Sequence, residues 1–265
     1  MADNTRKKTI QRYYSIRAKD YDQQKSRTWK SENGFGVEIF NEVLCAFTGF
    51  ENKLLLEIGV GSGRNAKPLL EKIKVRLVGL DLTREMLKTA RTKLLAQRQP
   101  FDLILADAEH LPFAAGTFDA ILCMSTMHYF AEQENTLEDY GHLLKKGGIF
   151  IYGDLSSHEA DNQRFFEMLE RTVSKAHKRY YKASEMKRLL ETHGFRVSRM
   201  KTIAYRKSHN ALMEDKGKYF CIAPEALHKY VHSASKEAKQ QYVLTDTELT
   251  QFYTVITAVR ENELT

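Results

Sequence analysis

The chain is poor in the residues that build covalent or metal-held scaffolds. Its 265 residues include only three cysteines, Cys45, Cys123 and Cys221, and no two of them form a C-x-x-C pair. An odd number without that spacing argues against a disulfide framework and against a cysteine-ligated zinc site. No H-E-x-x-H spacing occurs either, so we expect a metal-independent protein. The low cysteine content favours a reducing compartment, the cytoplasm.

Long apolar runs and proline-rich hinges are also missing. No apolar run approaches the roughly 20 residues that span a bilayer, and the first residues are polar and basic, so we expect neither a transmembrane segment nor a signal peptide. Hydrophobic residues make up 42% of the chain, enough for a large core. We predict an N-terminal helical cap or lid over residues 1–50 and one main domain over 51–265, with an insertion at 206–250.

The charge of the chain is unevenly distributed. Net charge is +7, and residues 171–207 contain twelve Lys or Arg against two Glu. Such a patch suits RNA, an acidic membrane surface or an anionic substrate. More commonly a charge run is only a solvated surface.

The middle of the chain alternates short apolar runs with helical patterns, which predicts βαβ units and a doubly wound parallel sheet of the α/β class. Thr83 is the predicted N-cap of one helix, and Gly147-Gly148 the predicted C-cap of another. Strands are predicted at 53–58, 76–81, 101–106, 118–124, 148–154, 195–204 and 252–259. Helices are predicted at 64–74, 83–97, 132–145, 184–193 and 225–233.

The first predicted strand ends in the glycine-rich sequence Glu57-Ile-Gly-Val-Gly-Ser-Gly-Arg64. Glycines let the backbone turn sharply and approach a ligand closely, and ligands of open α/β sheets bind beyond the carboxyl ends of the strands. The spacing is G-x-G-x-G, with Arg64 in place of the third glycine of the dinucleotide fingerprint. Taken alone, such a loop does not identify its ligand.

Acidic residues stand at the ends of three predicted strands, namely Glu57, Asp81 and Asp107. Carboxylates accept hydrogen bonds from ribose hydroxyls and amino groups, and they suit a cationic sulfonium. They would repel a pyrophosphate. Because nicotinamide dinucleotides contain a pyrophosphate, these three carboxylates disfavour a nicotinamide-dependent oxidoreductase.

Several motifs together resemble class I S-adenosylmethionine-dependent methyltransferases, of the ubiquinone/menaquinone-biosynthesis type (methyltransferase type 11). Besides the glycine loop, they are Asp81-Leu-Thr83, Asp107-Ala-Glu-His-Leu-Pro-Phe113, Phe118-Asp-Ala-Ile-Leu122 and Leu144-Lys-Lys-Gly-Gly148. The resemblance implies a Rossmann-like seven-stranded sheet of order 3-2-1-4-5-7-6 with an antiparallel last strand. It also implies S-adenosylmethionine as the cofactor and S-adenosylhomocysteine as its product.

The resemblance also implies a role for each motif. Gly59, Gly61, Gly63 and Ser125 would face the methionine half, Asp81 and its neighbour Leu82 the ribose, and Asp107 and Ala108 the adenine. Glu57 would contact the cofactor, directly or through water. Plainer interpretations stay open: Glu57 and Arg64 as supports of the loop, Asp81 as a helix cap and Asp107 as a turn former.

Two residues are candidates for catalysis. His128 follows the fourth strand and is the best candidate base, because its pKa lies near neutrality, although a histidine there is more commonly a packing group. Tyr21 belongs to an N-terminal segment that resembles a lid over the methionine end. Tyr129, beside His128, has a similar standing. Further aromatic residues are candidate walls of an acceptor pocket: Trp29, Tyr180, Tyr181 and Phe220.

The leading hypothesis is in-line methyl transfer to a small molecule such as a quinone, phenol, lipid precursor or other metabolite. One alternative is an RNA or protein methyltransferase that uses the basic 171–207 patch. Another is a non-catalytic protein that binds S-adenosylmethionine or S-adenosylhomocysteine. The oligomeric state and the acceptor atom stay open at this point.

Overall fold

Seven strands form one sheet in the order β3-β2-β1-β4-β5-β7-β6. The computed structural model describes residues 2–22, 35–213 and 224–261. The strands are β1 Lys53–Ile58, β2 Val75–Asp81, β3 Phe101–Leu105, β4 Phe118–Met124, β5 Leu144–Ser156, β6 Phe195–Ser208 and β7 Glu248–Arg260. The first five strands pair in parallel, and β7 runs antiparallel to both β5 and β6. The predicted fold class, strand order and antiparallel last strand are confirmed.

Helices flank the sheet and cover its carboxyl edge. They are α1 Ala2–Arg17, α2 Phe35–Ala46, α3 Ala66–Lys72, α4 Arg84–Leu94, α5 Gln133–Leu143, α6 Phe165–Val173, α7 Ala183–Thr192, α8 His209–Leu212, α9 Pro224–His232 and α10 Lys236–Gln241. Within the described ranges, no helix has the length and apolar character needed to cross a membrane.

The core lies on both faces of the sheet, because successive side chains of a strand point to opposite faces. On β1, Leu56 and Ile58 belong to one apolar cluster, whereas Leu55 belongs to the cluster on the other face. Cys123 of β4 is completely buried in the first cluster. Burial on both faces explains why the central strands are short continuous apolar runs.

Two predicted helix caps differ from the structure. Helix α5 ends at Leu143, and Gly147-Gly148 lie inside β5 instead of capping the helix. Gly147 has a φ of 72°, at a place where the register between β4 and β5 shifts, so the glycines accommodate a strand irregularity. Thr83 does precede α4, but its side chain makes no capping hydrogen bond to any residue that the structure describes. Its amide instead donates to the Asp81 carboxylate.

Helix α1 lies across the carboxyl edge of the sheet. Ile10 and Tyr13 form a small apolar cluster with Tyr129 and Ala176, and Ser15 Oγ donates to Glu85 Oε2 over 2.8 Å. The N-terminal segment therefore covers the edge at which the glycine loop lies.

Candidate active site

The glycine loop after β1 has a backbone that other residues rarely adopt. Gly59, Gly61 and Gly63 have φ angles of 67°, 55° and 74°, in the left-handed region that favours glycine. At Gly59 a Cβ would also lie only 2.3 Å from Thr126 Oγ1. The loop conformation thus depends on the absence of a side chain at this position.

Asp81, at the end of β2, holds the loop in place. Its Oδ2 accepts from the amide of Gly61 over 2.9 Å, and its Oδ1 accepts from the amide of Thr83 over 2.8 Å. Burial raises the pKa of Asp81 to about 6, although both amide hydrogen bonds lower it. The interpretation of Asp81 as a helix-capping residue is thus compatible with a cofactor role, since each carboxylate oxygen can accept a second hydrogen bond.

A first cavity of about 870 Å³, open to solvent, lies at this edge. We call it the cofactor cavity. It brings together eight residues that the sequence predicted as site residues: Tyr21, Gly59, Gly61, Asp81, Leu82, Asp107, Ala108 and Ser125. Glu57, Gly63 and His128 are not among the described residues that line it.

Glu57 lies at the carboxyl end of β1, just before the loop. Its side chain is 1% exposed, and neither carboxylate oxygen makes a hydrogen bond of normal geometry with any described residue. Burial raises the pKa of Glu57 to about 8, while neighbouring Asn65 and Arg64 lower it in part.

Gly63, the last glycine of the loop, packs against α4, where an added Cβ would lie 3.4 Å from Ala90.

Helix α1 contributes polar groups that the sequence did not single out. Lys7 Nζ lies 2.7 Å from Asp107 Oδ2, and Gln11 Nε2 donates to the carbonyl of Leu82 over 3.1 Å. Burial alone would raise the pKa of Asp107, but Lys7, the Glu109 amide and His110 together hold it below its usual value. Helix α1 therefore covers the part of the cofactor cavity that lies beside Asp107 and Leu82.

A second cavity, of about 800 Å³, adjoins the first. Both are lined by Tyr14, Tyr21, Arg64, Ser125 and Tyr129. The second cavity alone is lined by Tyr13, Arg17, Phe35, His128, Asp154, Leu155, Glu170, Tyr180, Tyr205, Lys207, Leu212, Gln251 and Tyr253. It is therefore largely aromatic, with a few buried charged groups.

His128 and Asp154 form a buried pair in the wall of the second cavity. His128 Nδ1 lies 3.0 Å from Asp154 Oδ1 and 2.9 Å from Oδ2. Asp154 is 1% exposed and also accepts from the amide of Leu155 over 2.9 Å. A carboxylate at Nδ1 fixes the tautomer and leaves Nε2 as the nitrogen that accepts a proton.

Tyr21 lies where the two cavities meet. Its ring centroid is 6.0 Å from that of Tyr14, and the guanidinium carbons of Arg17 and Arg64 lie 5.3 and 5.8 Å from it. Tyr14 and Tyr129 share a hydroxyl hydrogen bond of 3.1 Å.

The remaining aromatic candidates, Tyr129 and the four predicted wall residues, lie in three kinds of place. Tyr129 lines both cavities, and Tyr180 lines the second. Tyr181 belongs to the main apolar core. Trp29 and Phe220 lie outside the described residues.

Residues 56–152 match the model of the methyltransferase domain family Methyltransf_11. These residues form a class I methyltransferase domain.

Relatives of this methyltransferase domain are recognised over only part of their length. A ubiquinone biosynthesis O-methyltransferase of Parvibaculum lavamentivorans is 30% identical over 40% of this chain and 42% of its own. The chain spans less than two thirds of the length of the curated relatives it matches, 63% and 22% in two examples.

Solved structures agree with the methyltransferase fold. A putative methyltransferase of Bacillus halodurans aligns with a TM-score of 0.76 and 21% identity, over 84% of this chain and 99% of that one. A phosphoethanolamine N-methyltransferase of Haemonchus contortus, solved with S-adenosylhomocysteine, has a TM-score of 0.57 and 17% identity, over 84% and 53%.

The family match supports S-adenosylmethionine as the cofactor of the methyltransferase domain. The residues present fit this molecule. Gly61 lines the cofactor cavity, and within the described part of the chain a Cβ there would meet only the carbonyl of Gly59, at 3.8 Å. The bare backbone at this position leaves room for a ligand.

The basic patch at 171–207 is largely compensated by acidic neighbours. Arg171 lies 2.8 Å from Glu167, and Arg199 lies 2.6 Å from Glu42. Lys201, which lies 2.8 Å from Glu38, is paired as well. Cations held in ion pairs have less capacity to neutralise phosphates.

Proposed function

We propose that the chain transfers a methyl group from S-adenosylmethionine to a small-molecule acceptor bound in the second cavity. The observation that carries the proposal is the shared boundary of the two cavities. An acceptor in the second cavity faces the methionine end of the cofactor cavity across Ser125, Tyr14 and Tyr21. Holding two reactants in line removes up to roughly 7–11 kcal/mol from the barrier.

In this proposal, the strand-end residues hold the cofactor. Asp81, with Leu82 beside it, accepts from the ribose hydroxyls, and Asp107 and Ala108 contact the adenine. Gly59, Gly61 and Ser125 lie along the methionine half. Glu57 and Gly63, which are not among the described residues that line the cofactor cavity, support the glycine loop. When bound, S-adenosylmethionine supplies an activated methyl group on a sulfonium.

His128 acts as the general base. Its Nδ1 is held by Asp154, so Nε2 is the nitrogen that takes a proton from the acceptor. Asp154 is a positioning residue, and it stabilises the imidazolium that forms. A base is needed only when the acceptor loses a proton, which favours hydroxyl or amine acceptors. Tyr21, which lines both cavities, covers the place where they meet and keeps water from the reacting atoms.

The first experiment is a radiolabelled methyl-transfer screen. Purified protein is incubated with S-[methyl-³H]adenosylmethionine and with metabolite, lipid and RNA fractions, and labelled products are identified by mass spectrometry. We expect label in a small-molecule fraction. Label in RNA alone would contradict the proposed acceptor class. Tight S-adenosylhomocysteine binding without any transfer would instead indicate a non-catalytic binding protein.

A histidine variant then tests the base. We expect His128→Gln to leave S-adenosylhomocysteine affinity within twofold and to lower kcat by about 10²–10⁴-fold. His142→Gln is the matched control, because His142 is exposed on α5. Asp154→Asn should shift the pH dependence of kcat, as expected when the partner of the base changes. An unchanged rate in His128→Gln would remove the base from the mechanism.

A further inference from the structure

One polar residue interrupts a buried stretch of β7. Leu249, Gln251 and Tyr253 point to the same face of the strand, because side chains alternate along it, and they are 0%, 2% and 2% exposed. Leu249 and Tyr253 both belong to apolar clusters. Glutamine is mostly an exposed residue, so its burial between these two neighbours calls for a specific contact.

Gln251 lies on a part of β7 that projects beyond β5. Pairing of β5 with β7 stops at Ser156 opposite Phe252, whereas β6 and β7 stay paired as far as Ser208 opposite Glu248. Among the described strands, Gln251 is therefore paired on one side only. It forms part of the wall of the second cavity.

The amide of Gln251 presents a buried hydrogen-bond donor in this wall. Its Oε1 accepts from the hydroxyl of Tyr205, the residue opposite on β6, over 2.6 Å. Its Nε2 has no hydrogen-bond partner among the described residues. Buried side-chain amides are normally paired, so this nitrogen points to a ligand that brings an oxygen atom.

The position of Gln251 assigns that ligand to the acceptor. Gln251 lines the second cavity and is not among the described residues that line the cofactor cavity. His128 lines the second cavity as well. An acceptor that fills this cavity therefore borders both His128 and Gln251.

The aromatic side chains around Gln251 suit a planar molecule. The Phe35 ring stacks on Tyr205 with 3.7 Å between centroids and meets Tyr253 edge to face at 6.0 Å. All three line the second cavity. Aromatic side chains pack well against planar rings, so we expect the oxygen atom to be carried by a ring compound.

We propose that Gln251 is a specificity-determining residue of the acceptor site, whose Nε2 donates a hydrogen bond to an oxygen atom on a planar acceptor. A carbonyl oxygen meets this requirement, since its lone pairs accept hydrogen bonds. An acceptor without such an oxygen leaves the buried amide unpaired, which weakens binding about tenfold or more.

This inference rests on the proposed function, because it takes the second cavity as the acceptor site. It deepens that function by assigning specificity to the last strand. Gln251 lies outside residues 56–152, the part of the chain that matches the family model.

The test compares two phenols of similar size. In 4-isopropylphenol, a methyl group replaces the carbonyl oxygen of 4-hydroxyacetophenone. Calorimetry measures the binding of each to the full chain saturated with S-adenosylhomocysteine at pH 6.5. We expect the wild-type protein to bind 4-hydroxyacetophenone, and no binding of this phenol would overturn the inference.

Two variants then locate the contact. Gln251→Met removes the amide at similar volume, and Gln251→Glu removes the donor but keeps an acceptor for the Tyr205 hydroxyl. We expect each to shift the ratio of the two dissociation constants about tenfold or more in favour of 4-isopropylphenol. The ratio cancels effects that are common to both ligands, such as contacts of the phenol hydroxyl.

Gln240→Met is the matched control, because Gln240 is exposed on α10. It should leave the ratio unchanged, and all three variants should keep the wild-type affinity for S-adenosylhomocysteine. A ratio that stays the same in both Gln251 variants would show that the amide meets only water, and it would overturn the inference.

The outcomes separate the two proposals. If the wild-type protein fails to bind S-adenosylhomocysteine, the proposed function itself fails. If it binds S-adenosylhomocysteine but its discrimination between the phenols does not depend on Gln251, only the role of Gln251 fails.

Discussion

Replacement of Gly59 by alanine is expected to destabilise the fold through two separable effects. The φ of 67° puts a Cβ in the left-handed region, which costs roughly 1–2 kcal/mol. The same Cβ would lie 2.3 Å from Thr126 Oγ1 and 2.6 Å from its Cγ2. Thr126 is itself held by a 2.9 Å hydrogen bond to the carbonyl of Met124, so relieving the overlap costs a further ~1–3 kcal/mol. The sum is about 2–5 kcal/mol.

Urea unfolding of Gly59→Ala measures this loss. Gly116→Ala is the matched control, because Gly116 has a φ of 64° but no atom of the described residues within 4 Å of its added Cβ. We expect the control to lose only the strain component, about 1–2 kcal/mol. Adding Thr126→Ala to Gly59→Ala should restore part of the difference. If Gly59→Ala and Gly116→Ala lose equal stability, the steric argument is refuted.

Three further variants test the site. Gly61→Ala should lose about as much stability as Gly116→Ala but bind S-adenosylhomocysteine at least tenfold more weakly by calorimetry, because its Cβ enters the cofactor cavity; unchanged affinity would contradict this. Asp81→Ala should weaken cofactor binding strongly and also lower the urea midpoint, since the amides of Gly61 and Thr83 lose their acceptor. A folded-state pKa of about 8 for Glu57 means that the folded protein binds a proton that the unfolded chain releases above pH ~4.5. Wild-type stability should therefore fall by up to a few kcal/mol as pH rises from ~4.5 to 8, and Glu57→Gln should flatten that decline in urea titrations.

The central strands were the most predictable part of the fold. Strands β1 and β4 begin and end at the predicted residues, because burial on both faces makes a strand a continuous apolar run. The ends of β6 and β7 were not predicted, since the sequence indicated strands at 195–204 and 252–259. The added residues include Tyr205, Lys207 and Gln251, which line a cavity and so lack an apolar pattern.

The residues of the candidate site were likewise predictable only in part. Acidic residues at strand ends are visible in the sequence, because the glycine loop and the strand pattern place them at one edge. Lys7, Gln11 and Asp154 carried no local motif. Packing of α1 over the edge, and pairing of β5 with β4, bring them to residues that are distant in the chain.

A crystal structure of the chain with S-adenosylhomocysteine tests the proposed placement of the cofactor. We expect ribose hydroxyls within about 2.5–3.0 Å of the Asp81 carboxylate, adenine beside Ala108, and the sulfur atom directed past Ser125 toward the second cavity. A sulfur atom directed away from that cavity, or a ribose with no contact to Asp81, would contradict methyl transfer into the second cavity.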